Sequence, residues 1–408
     1  MIPVEEALAI VLREATPLPD EEVTLEAALS RVLAEDVPSD TDLPPFDRAA
    51  MDGYALRAAD VAGAPAALEV VGEVRAGQWP DLSVGPAQAV RIMTGAPLPP
   101  GADAVQQVER TRPLDEFRVT ILSPVAGGAN VSPRASEVRK GDVVLARGRR
   151  IDPAAVAVLA AAGKSRVRVT RRPVLALLVT GDEIVDVATV PGPGQIRNSN
   201  GPSVAAQARL AGAEVKLLGV APDRQDAIAA ALRSGLPADV LVVSGGVSAG
   251  DYDLVEPALL ELGATFLFTR VAIKPGAPLV FGRVGGTLVF GLPGNPVSAQ
   301  VTFELFVRPA LLKMQGARVL GRPQVSVELL AAVKNRSGRK AYLPARLRFE
   351  GGRLVARPVR SMGSGDLAAH ARANALVVIE ADRVEAAVGE TAGAVLLGSF
   401  LEDDGAPL

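Results

Sequence analysis

Three segments in the second half of the chain each join a short apolar run to a loop of small and polar residues, followed by a helical pattern. The loops cover residues 180–183, 244–253 and 291–296. In an open parallel sheet, loops of this kind gather at the carboxyl edge of the strands, where ligands bind. Their glycines and carboxylates predict one pocket for a phosphate-bearing ligand and a divalent cation.

The third loop resembles the start of a helix that binds an anion. Asn295 stands at the predicted N-cap and Pro296 at the first helical position, where the missing amide costs nothing. The next amides, Val297 and Ser298, would face an anion beside the positive end of the helix. A tight turn before a well-capped helix explains the same residues, so the pattern leaves both interpretations open.

The second loop places residues 244–246, Ser-Gly-Gly, directly after a buried strand, and Ser248 adds a hydroxyl. Asp239 precedes the strand, and Asp251 and Asp253 follow the loop. Carboxylates next to phosphate-binding amides would repel the ligand unless a cation lies between them, which favours Mg²⁺ for at least one of these acids. The alternative for Asp253 is a cap on the next helix.

The first loop is shorter and less specific. It carries Asp182 and Glu183 after Gly181. These carboxylates could bind a metal ion or accept a hydrogen bond from a ribose, and an acidic surface turn would look the same.

Two cations lie near a predicted strand end in the same half of the chain. Lys274 follows the apolar run 266–273 and precedes Pro275, and Arg270 lies four residues earlier. On one extended strand, both side chains would point to the same side, which suits an oxyanion or a phosphate. A solvated pair at a sheet edge is the alternative.

The N-terminal half contains one unusual stretch, residues 43–55, in which two prolines precede Asp47 and Asp52. A second segment, 91–97, ends a strand at Thr94 and a glycine. Composition alone does not say what either segment binds.

The composition of the 408-residue chain excludes several classes of function. Aromatic residues make up 3% and the net charge is −3 with no basic tract, which argues against nucleic-acid binding. Cysteine is absent and His370 is the single histidine, which argues against thiol catalysis and histidine metal clusters. The N-terminus is acidic and no apolar run approaches the ~18 residues of a membrane span, so we expect a cytoplasmic protein without membrane contact.

The patterning predicts an α/β multidomain chain. Residues 3–15 and a run beginning at Thr24 read as helices, and short β-rich runs alternate with turns over 45–140. Strands and helices then alternate over 173–315, which predicts a doubly wound, mostly parallel sheet. The last part, from 323, returns to β runs typical of a small β-barrel or sandwich, of which we predict the barrel.

Five motifs in order and at the right spacing resemble those of the molybdopterin molybdotransferase family, the molybdenum insertases related to the gephyrin E domain. They lie at residues 45–55, 93–97, 180–183, 244–248 and 291–296. The resemblance implies four parts: an elongated helical part (1–44 with 141–172), a β-rich part (45–140), the α/β molybdopterin-binding part (173–320) and the C-terminal β-barrel (321–408). It also implies a homodimer with a cleft shared between the α/β part of one subunit and the β-rich part of the other.

The implied reaction inserts molybdenum from molybdate into adenylylated molybdopterin, with Mg²⁺-dependent release of AMP. The resemblance implies that an upstream adenylyltransferase supplies the substrate. The metal ligands would be Asp239 and Asp253. The implied catalytic residues are Asp47, Asp52, Thr94, Glu137, Asp182, Glu183, Arg270, Lys274 and Arg339. The implied residues for the pterin phosphate are Ser244, Gly245, Gly246, Ser248, Gly291, Pro293, Gly294, Asn295 and Pro296.

The chain departs from the family pattern at several oxyanion contacts. Ala277 stands where a second lysine is common, Glu137 replaces an aspartate, and alanines at 368 and 369 replace serines. Two alternatives stay open, and these departures keep the second of them open. One is a nucleotide-handling relative of the α/β part, an adenylyltransferase or a pyrophosphatase-like hydrolase. The other is a non-catalytic dimeric scaffold of the gephyrin E-domain type.

Overall fold

The computed structural model describes residues 1–246 and 254–398. Ser248 and Asp253, two predicted site residues, lie outside these ranges. No helix in the described ranges is both long enough and apolar enough to cross a membrane.

The N-terminal region begins with helix Val4–Glu14, as the apolar spacing predicts. The helix predicted after Thr24 is shorter than expected and covers only Leu25–Ala28. Thr24 forms no side-chain cap and ends strand Asp20–Thr24, which pairs with Arg166–Thr170. Thr24 thus occupies the predicted N-cap position, and the helix stops early because the Ser30 and Leu33 amides donate to the Ile151 and Arg149 carbonyls at 2.8 Å and 3.0 Å.

A second strand pair connects the start of the chain to residues 143–145. Strand Val37–Pro38 pairs with Val143–Leu145, and helix Pro153–Ala161 follows. Asp152 caps this helix by accepting a hydrogen bond from the Ala155 amide at 2.7 Å.

The β-rich region contains a six-stranded sheet. A separate two-stranded pair, Arg48–Ala49 with Val131–Ser132, and the 3-10 helices Ala58–Val61 and Val108–Arg110 complete this region. The strands of the six-stranded sheet, from one edge to the other, are Ala104–Gln107, Gly53–Leu56, Gln88–Ile92, Ala66–Val74, Arg118–Ile121 and Thr111–Pro113.

A second six-stranded sheet forms the α/β region, and four of its neighbouring strands are parallel. The fifth strand runs antiparallel to the fourth, and the sixth antiparallel to the fifth. Parallel neighbours bring the ends of different βα units to one edge, so this sheet determines where the predicted loops meet. In order across the sheet, its strands are Glu214–Ala221, Val174–Thr180, Val240–Ser244, Thr287–Leu292, Val280–Val284 and Thr265–Phe268.

Helices cover both faces of this sheet, as its continuous apolar strands require. Leu175 and Leu177 contribute to one buried cluster, whereas the alternating Ala176 and Leu178 contribute to another. The first cluster also contains residues of the N-terminal helix Val4–Glu14. The helices of this region are Asn200–Leu210, Gln225–Gly235, Val255–Glu261, Pro296–Thr302 and Arg308–Met314, with a π-helical turn at Phe303–Val307.

The C-terminal region is a closed five-stranded barrel, which confirms the predicted β-barrel. The barrel closes because Lys340–Glu350 pairs with both Arg353–Pro358 and Ala375–Ile379. Helix Leu367–Ala371 leads into the latter strand. The barrel strands are Gln324–Leu329, Lys340–Glu350, Arg353–Pro358, Ala375–Ile379 and Thr391–Leu396.

Candidate functional site

The three predicted loops line one cavity of about 840 Å³. It lies at the carboxyl ends of the parallel strands, where an α/β sheet binds ligands. The volume is within the ~300–1,000 Å³ range of small-molecule sites. Its lining includes Thr180, Gly181, Glu183, Ser244, Gly245, Gly246, Pro293, Gly294, Asn295 and Pro296.

The second and third loops are in direct contact. The Gly245 amide donates to the Leu292 carbonyl at 3.2 Å. Gly245 has φ +99°, and a Cβ there would lie 2.6 Å from the Thr180 carbonyl oxygen. Because both its backbone conformation and its surroundings exclude a side chain, glycine is required where the loops meet.

Two details of the third loop correct the sequence interpretation. Asn295 does not cap the helix with its side chain, and the Val297 amide donates to the Ser364 carbonyl at 3.0 Å, so this amide is not available to an anion. Gly291 lies inside strand Thr287–Leu292, paired with Val243, and does not line the cavity. The part of this loop that lines the cavity is therefore limited to residues 293–296.

The first loop brings carboxylates to the same cavity. Asp182 and Asp223 accept hydrogen bonds from each other's backbone amides, at 3.0 Å and 3.4 Å. Glu183 and Asp223 line the cavity. Sequence reasoning missed Asp223, although it follows strand Glu214–Ala221, whose carboxyl end belongs to the same sheet edge.

Asp239 lies at the opposite edge of the sheet, which corrects its prediction as a metal ligand. It precedes strand Val240–Ser244, whereas the cavity follows that strand. Arg171 donates two hydrogen bonds to its carboxylate at 2.6 Å and 2.7 Å, and the Val174 amide donates a third at 2.8 Å. Burial alone would raise the pKa of Asp239, but these hydrogen bonds outweigh it and hold the pKa below its ordinary value. Asp239 is therefore a structural ion-pair partner.

A smaller cavity of about 310 Å³ adjoins the larger one, and both are lined by Pro278, Pro293 and Asn295. Lys274 and Arg339 supply the two cationic side chains of its lining. The remaining lining residues are Pro275, Gly276, Ala277, Ser298 and Ser364. Two cations with neighbouring hydroxyls form an environment suited to a tetrahedral oxyanion.

Lys274 and Arg339 meet because a short strand of the α/β region joins the barrel. Strand Ile273–Lys274 pairs in parallel with the start of Lys340–Glu350, so that Ile273 lies opposite Lys340. The Lys340 amide donates to the Ala272 carbonyl at 3.2 Å. This seam places Lys274 beside the turn that carries Arg339.

Side chains reinforce both sides of the seam. Buried Asn335 donates to the Arg339 carbonyl at 2.8 Å and shapes the turn before the strand. Lys340 forms ion pairs with Glu5 at 2.7 Å and Glu380 at 2.9 Å. Burial alone would lower the pKa of Lys340, but the hydrogen bonds to both carboxylates outweigh it and raise the pKa.

Arg270 does not join Lys274. The strand predicted over 266–273 is interrupted, because Thr265–Phe268 and Ile273–Lys274 are separate strands in different sheets. The two-residue alternation that placed Arg270 and Lys274 on one side therefore does not apply. Arg270 is exposed and lines neither cavity.

The predicted residues of the β-rich region are organised but lie outside both cavities. Asp52 accepts hydrogen bonds from the Thr94 hydroxyl at 2.6 Å and the Thr94 amide at 2.7 Å, which lower the pKa of Asp52. Asp47 accepts from the Arg134 amide, and Glu137 pairs with Arg48 at 3.1 Å.

No group of three or more His, Cys, Asp or Glu side chains positioned to hold a metal ion occurs within residues 1–246 and 254–398. The lining of the larger cavity contains two carboxylates, those of Glu183 and Asp223.

Three family models match successive parts of the chain. They are described as the MoeA N-terminal region (domain I and II) over residues 2–163, a probable molybdopterin binding domain over 176–313, and the MoeA C-terminal region (domain IV) over 326–397.

Similar proteins cover almost the whole chain. A molybdopterin molybdenumtransferase of Bacillus subtilis (strain 168) is 37% identical over 391 residues, 93% of this chain and 90% of that protein. A protein of the same description from Staphylococcus aureus (strain COL) is 35% identical over 403 residues, 98% of this chain and 96% of that one. The crystal structure of a molybdopterin biosynthesis MoeA protein from Pyrococcus horikoshii superposes with a TM-score of 0.83 at 32% identity, covering 97% of this chain and 100% of that one.

Proposed function

This chain belongs to the molybdopterin molybdenumtransferase family, a family of enzymes of molybdenum cofactor biosynthesis, and we propose that it inserts molybdenum from molybdate into adenylylated molybdopterin with release of AMP. The observation that carries the proposal is the pair of adjoining cavities. One has glycine loops and room for a nucleotide, and the other has two cations. A reaction between a phosphate-bearing ligand and an oxyanion would use both cavities.

In the larger cavity, the glycine loops bind the phosphate-bearing ligand through backbone amides. Gly246 and Gly294 line the cavity without a Cβ, so the chain can approach a phosphate closely. The end of this ligand would lie near the oxyanion, because the two cavities share a wall at Pro293 and Asn295.

In the smaller cavity, Lys274 and Arg339 hold molybdate. Both cations compensate the charge of the oxyanion, and Ser298 offers a hydroxyl beside them. The dithiolene of the substrate supplies the sulfur ligands of molybdenum, so a chain without cysteine is sufficient.

The donor set of the larger cavity fits Mg²⁺. Mg²⁺ is commonly bound by one or two carboxylates together with substrate phosphates and water. Glu183 and Asp223 provide two carboxylates at the phosphate loops, and Asp253 remains a proposed ligand outside the described residues. Bound there, Mg²⁺ would offset the charge of the phosphoanhydride.

A homodimer would bring the β-rich residues to this site. Asp52 and Thr94 form an ordered hydrogen-bonded pair outside both cavities of their own chain. Also in the β-rich region, Phe46 packs edge-on against Trp79 at 5.7 Å, and Trp79 is 70% exposed. We propose that this surface lies against the cleft of a second copy.

The test of the function is a turnover assay. Purified protein with adenylylated molybdopterin, Mg²⁺ and molybdate is expected to release AMP at a rate that depends on the molybdate concentration. AMP release that is independent of molybdate would favour a nucleotide-handling hydrolase, and binding without turnover would favour a non-catalytic scaffold. The matches to the N-terminal and C-terminal MoeA regions argue against a relative built from the α/β region alone.

The shared cleft is tested by mixing inactive variants. Lys274→Met and Asp52→Ala subunits, inactive alone, should regain turnover when unfolded and refolded together, because one cleft of the mixed dimer contains neither substitution. No recovery in a mixture shown to contain mixed dimers would contradict the shared cleft.

A further inference from the structure

One buried amide connects the two glycine loops of the larger cavity. Asn200 lies at the start of helix Asn200–Leu210 and is 7% exposed. Its Nδ2 donates to the Ser244 hydroxyl oxygen at 2.8 Å and to the Gly294 carbonyl oxygen at 2.8 Å. The acceptors belong to different loops, so a third element of the fold holds both.

The chemistry of the acceptors determines the orientation of this amide. The Gly294 carbonyl can only accept, so the nitrogen of Asn200 must face it. The Ser244 hydroxyl in turn donates to the Pro293 carbonyl at 3.4 Å. Reversing the amide would place the Asn200 oxygen against the Gly294 carbonyl oxygen, which has no hydrogen to donate.

The contacts of Asn200 distinguish it from an ordinary buried polar residue. Both of its acceptors lie in the cavity wall, and Asn200 itself lines the cavity. One direct backbone hydrogen bond, from Gly245 to Leu292, also joins the loops. Asn200 therefore supplies two of the hydrogen bonds that determine the loop spacing.

We infer that Asn200 is a positioning residue that sets the distance between the second and third glycine loops and thereby the fit of the phosphate-bearing ligand. The inference rests on the proposed function for its ligand and on the structure alone for its effect on the loops. Asn200 acts through Ser244 and Gly294, because its Nδ2 is already bonded to them.

Aspartate substitutions at two neighbouring asparagines provide a matched comparison. Asn200→Asp keeps the shape of the side chain but replaces the donor with an oxygen. Asn198→Asp adds the same charge to the same cavity, but Asn198 uses its Oδ1 to accept from the Gly201 amide at 2.8 Å, which a carboxylate also does. This comparison controls for a carboxylate at the cavity, and the uncharged Asn200→Ala variant separates the lost donor from the cost of burying a charge, because Asn200 is buried and Asn198 only half-buried.

The first measurement uses the protein alone. Hydrogen exchange should accelerate in residues 244–246 and 291–295 of the Asn200→Asp variant, with the remaining strands of the sheet and the melting temperature close to those of the Asn198→Asp variant. Acceleration across the whole sheet with a large fall in melting temperature would show a merely structural role and overturn the inference. Equal exchange in the two variants would also overturn it.

The second measurement is AMP binding by calorimetry. Losing two buried hydrogen bonds that position the loops should weaken AMP binding ~10-fold more in Asn200→Asp than in Asn198→Asp. Asn200→Ala, which removes the donor without burying a charge, should show the same local exchange and decides the matter if the aspartate variant does not fold. If AMP does not bind the wild-type protein, the proposed ligand is wrong, whereas the exchange result still decides the role of Asn200.

Discussion

The two adjoining cavities are assembled in different ways. The larger one is formed mainly by loops that follow the strands of one sheet, so its components lie in regular βα units. The smaller one combines Lys274, from a two-residue strand attached to the barrel, with Arg339, from a turn of the barrel itself. The glycine loops depend on a local conformation, whereas the cation pair depends on how two regions of the chain meet.

This difference separates the substitutions that should impair nucleotide binding from those that should impair use of the oxyanion. Changes in the glycine loops should act on AMP affinity. Changes at Lys274 or along the seam should act on the dependence of turnover on molybdate. If both kinds of change altered both properties equally, the two cavities would be one undivided site.

The largest effect is expected from Lys274→Met. Methionine keeps much of the side-chain volume but removes the charge, and losing one preorganised contact to an oxyanion typically costs ~100-fold or more in rate. Turnover at saturating adenylylated molybdopterin should fall accordingly, with AMP affinity nearly unchanged in calorimetry. A comparable fall in AMP affinity would indicate that Lys274 contacts the phosphate of the nucleotide rather than molybdate.

Gly245→Ala should reverse this pattern. The new Cβ would lie 2.6 Å from the Thr180 carbonyl oxygen at φ +99°, so the loop must shift. Strain of ~1–3 kcal/mol at such a position should weaken AMP binding by about tenfold or more. Gly194→Ala is the matched control for the strain that a positive φ imposes on alanine, because φ is +78° there and the new Cβ would meet nothing within 4 Å. Equal AMP affinities in the two variants would contradict the role of Gly245 in shaping the cavity wall.

Lys340→Met probes the seam and should have a modest effect. Glu5 and Glu380 are 67% and 60% exposed, and exposed ion pairs contribute ~0–1 kcal/mol. The backbone pairing of Ile273 with Lys340 remains, so we expect the molybdate concentration for half-maximal rate to rise roughly two- to fivefold. An unchanged molybdate dependence would show that backbone pairing alone positions Lys274.

Asp239→Asn should have the smallest effect on turnover. The substitution weakens a partly buried, bidentate ion pair with Arg171, so unfolding in urea should show a loss of ~1–3 kcal/mol. Turnover per folded molecule should remain within about twofold, because rates are changed by contacts to reacting groups and Asp239 lies at the far edge of the sheet. A rate loss comparable to that of Lys274→Met, without a loss of stability, would restore Asp239 as a metal ligand.

Elements with a strong local signal were predictable from the sequence. Strand Val174–Thr180 begins the predicted alternation of strands and helices, and the three predicted loops line one cavity. Apolar runs that end at glycine need no tertiary information to be recognised as strand ends. Asp223 could have been found in the same way, from the end of strand Glu214–Ala221.

The sequence predictions fail where contacts with a distant part of the chain determine the local structure. The helix that begins after Thr24 is short, because residues 30–33 hydrogen-bond to residues 149–151 instead of continuing it. Arg270 and Lys274 look like one strand face, but the barrel takes Ile273–Lys274 into its own sheet. Asp239 was predicted to bind metal because it lies near the loop in sequence, yet a strand separates it from the cavity.

The sequence by itself determined which residues form the glycine loops and which strands lead into them, because backbone conformation and hydrophobic alternation are local properties. Only the tertiary structure decided which charged side chains share a cavity. Strand pairing between distant segments brings Lys274 to Arg339 and holds Asp239 against Arg171. The distance between two charges depends on that pairing, and no spacing along the chain encodes it.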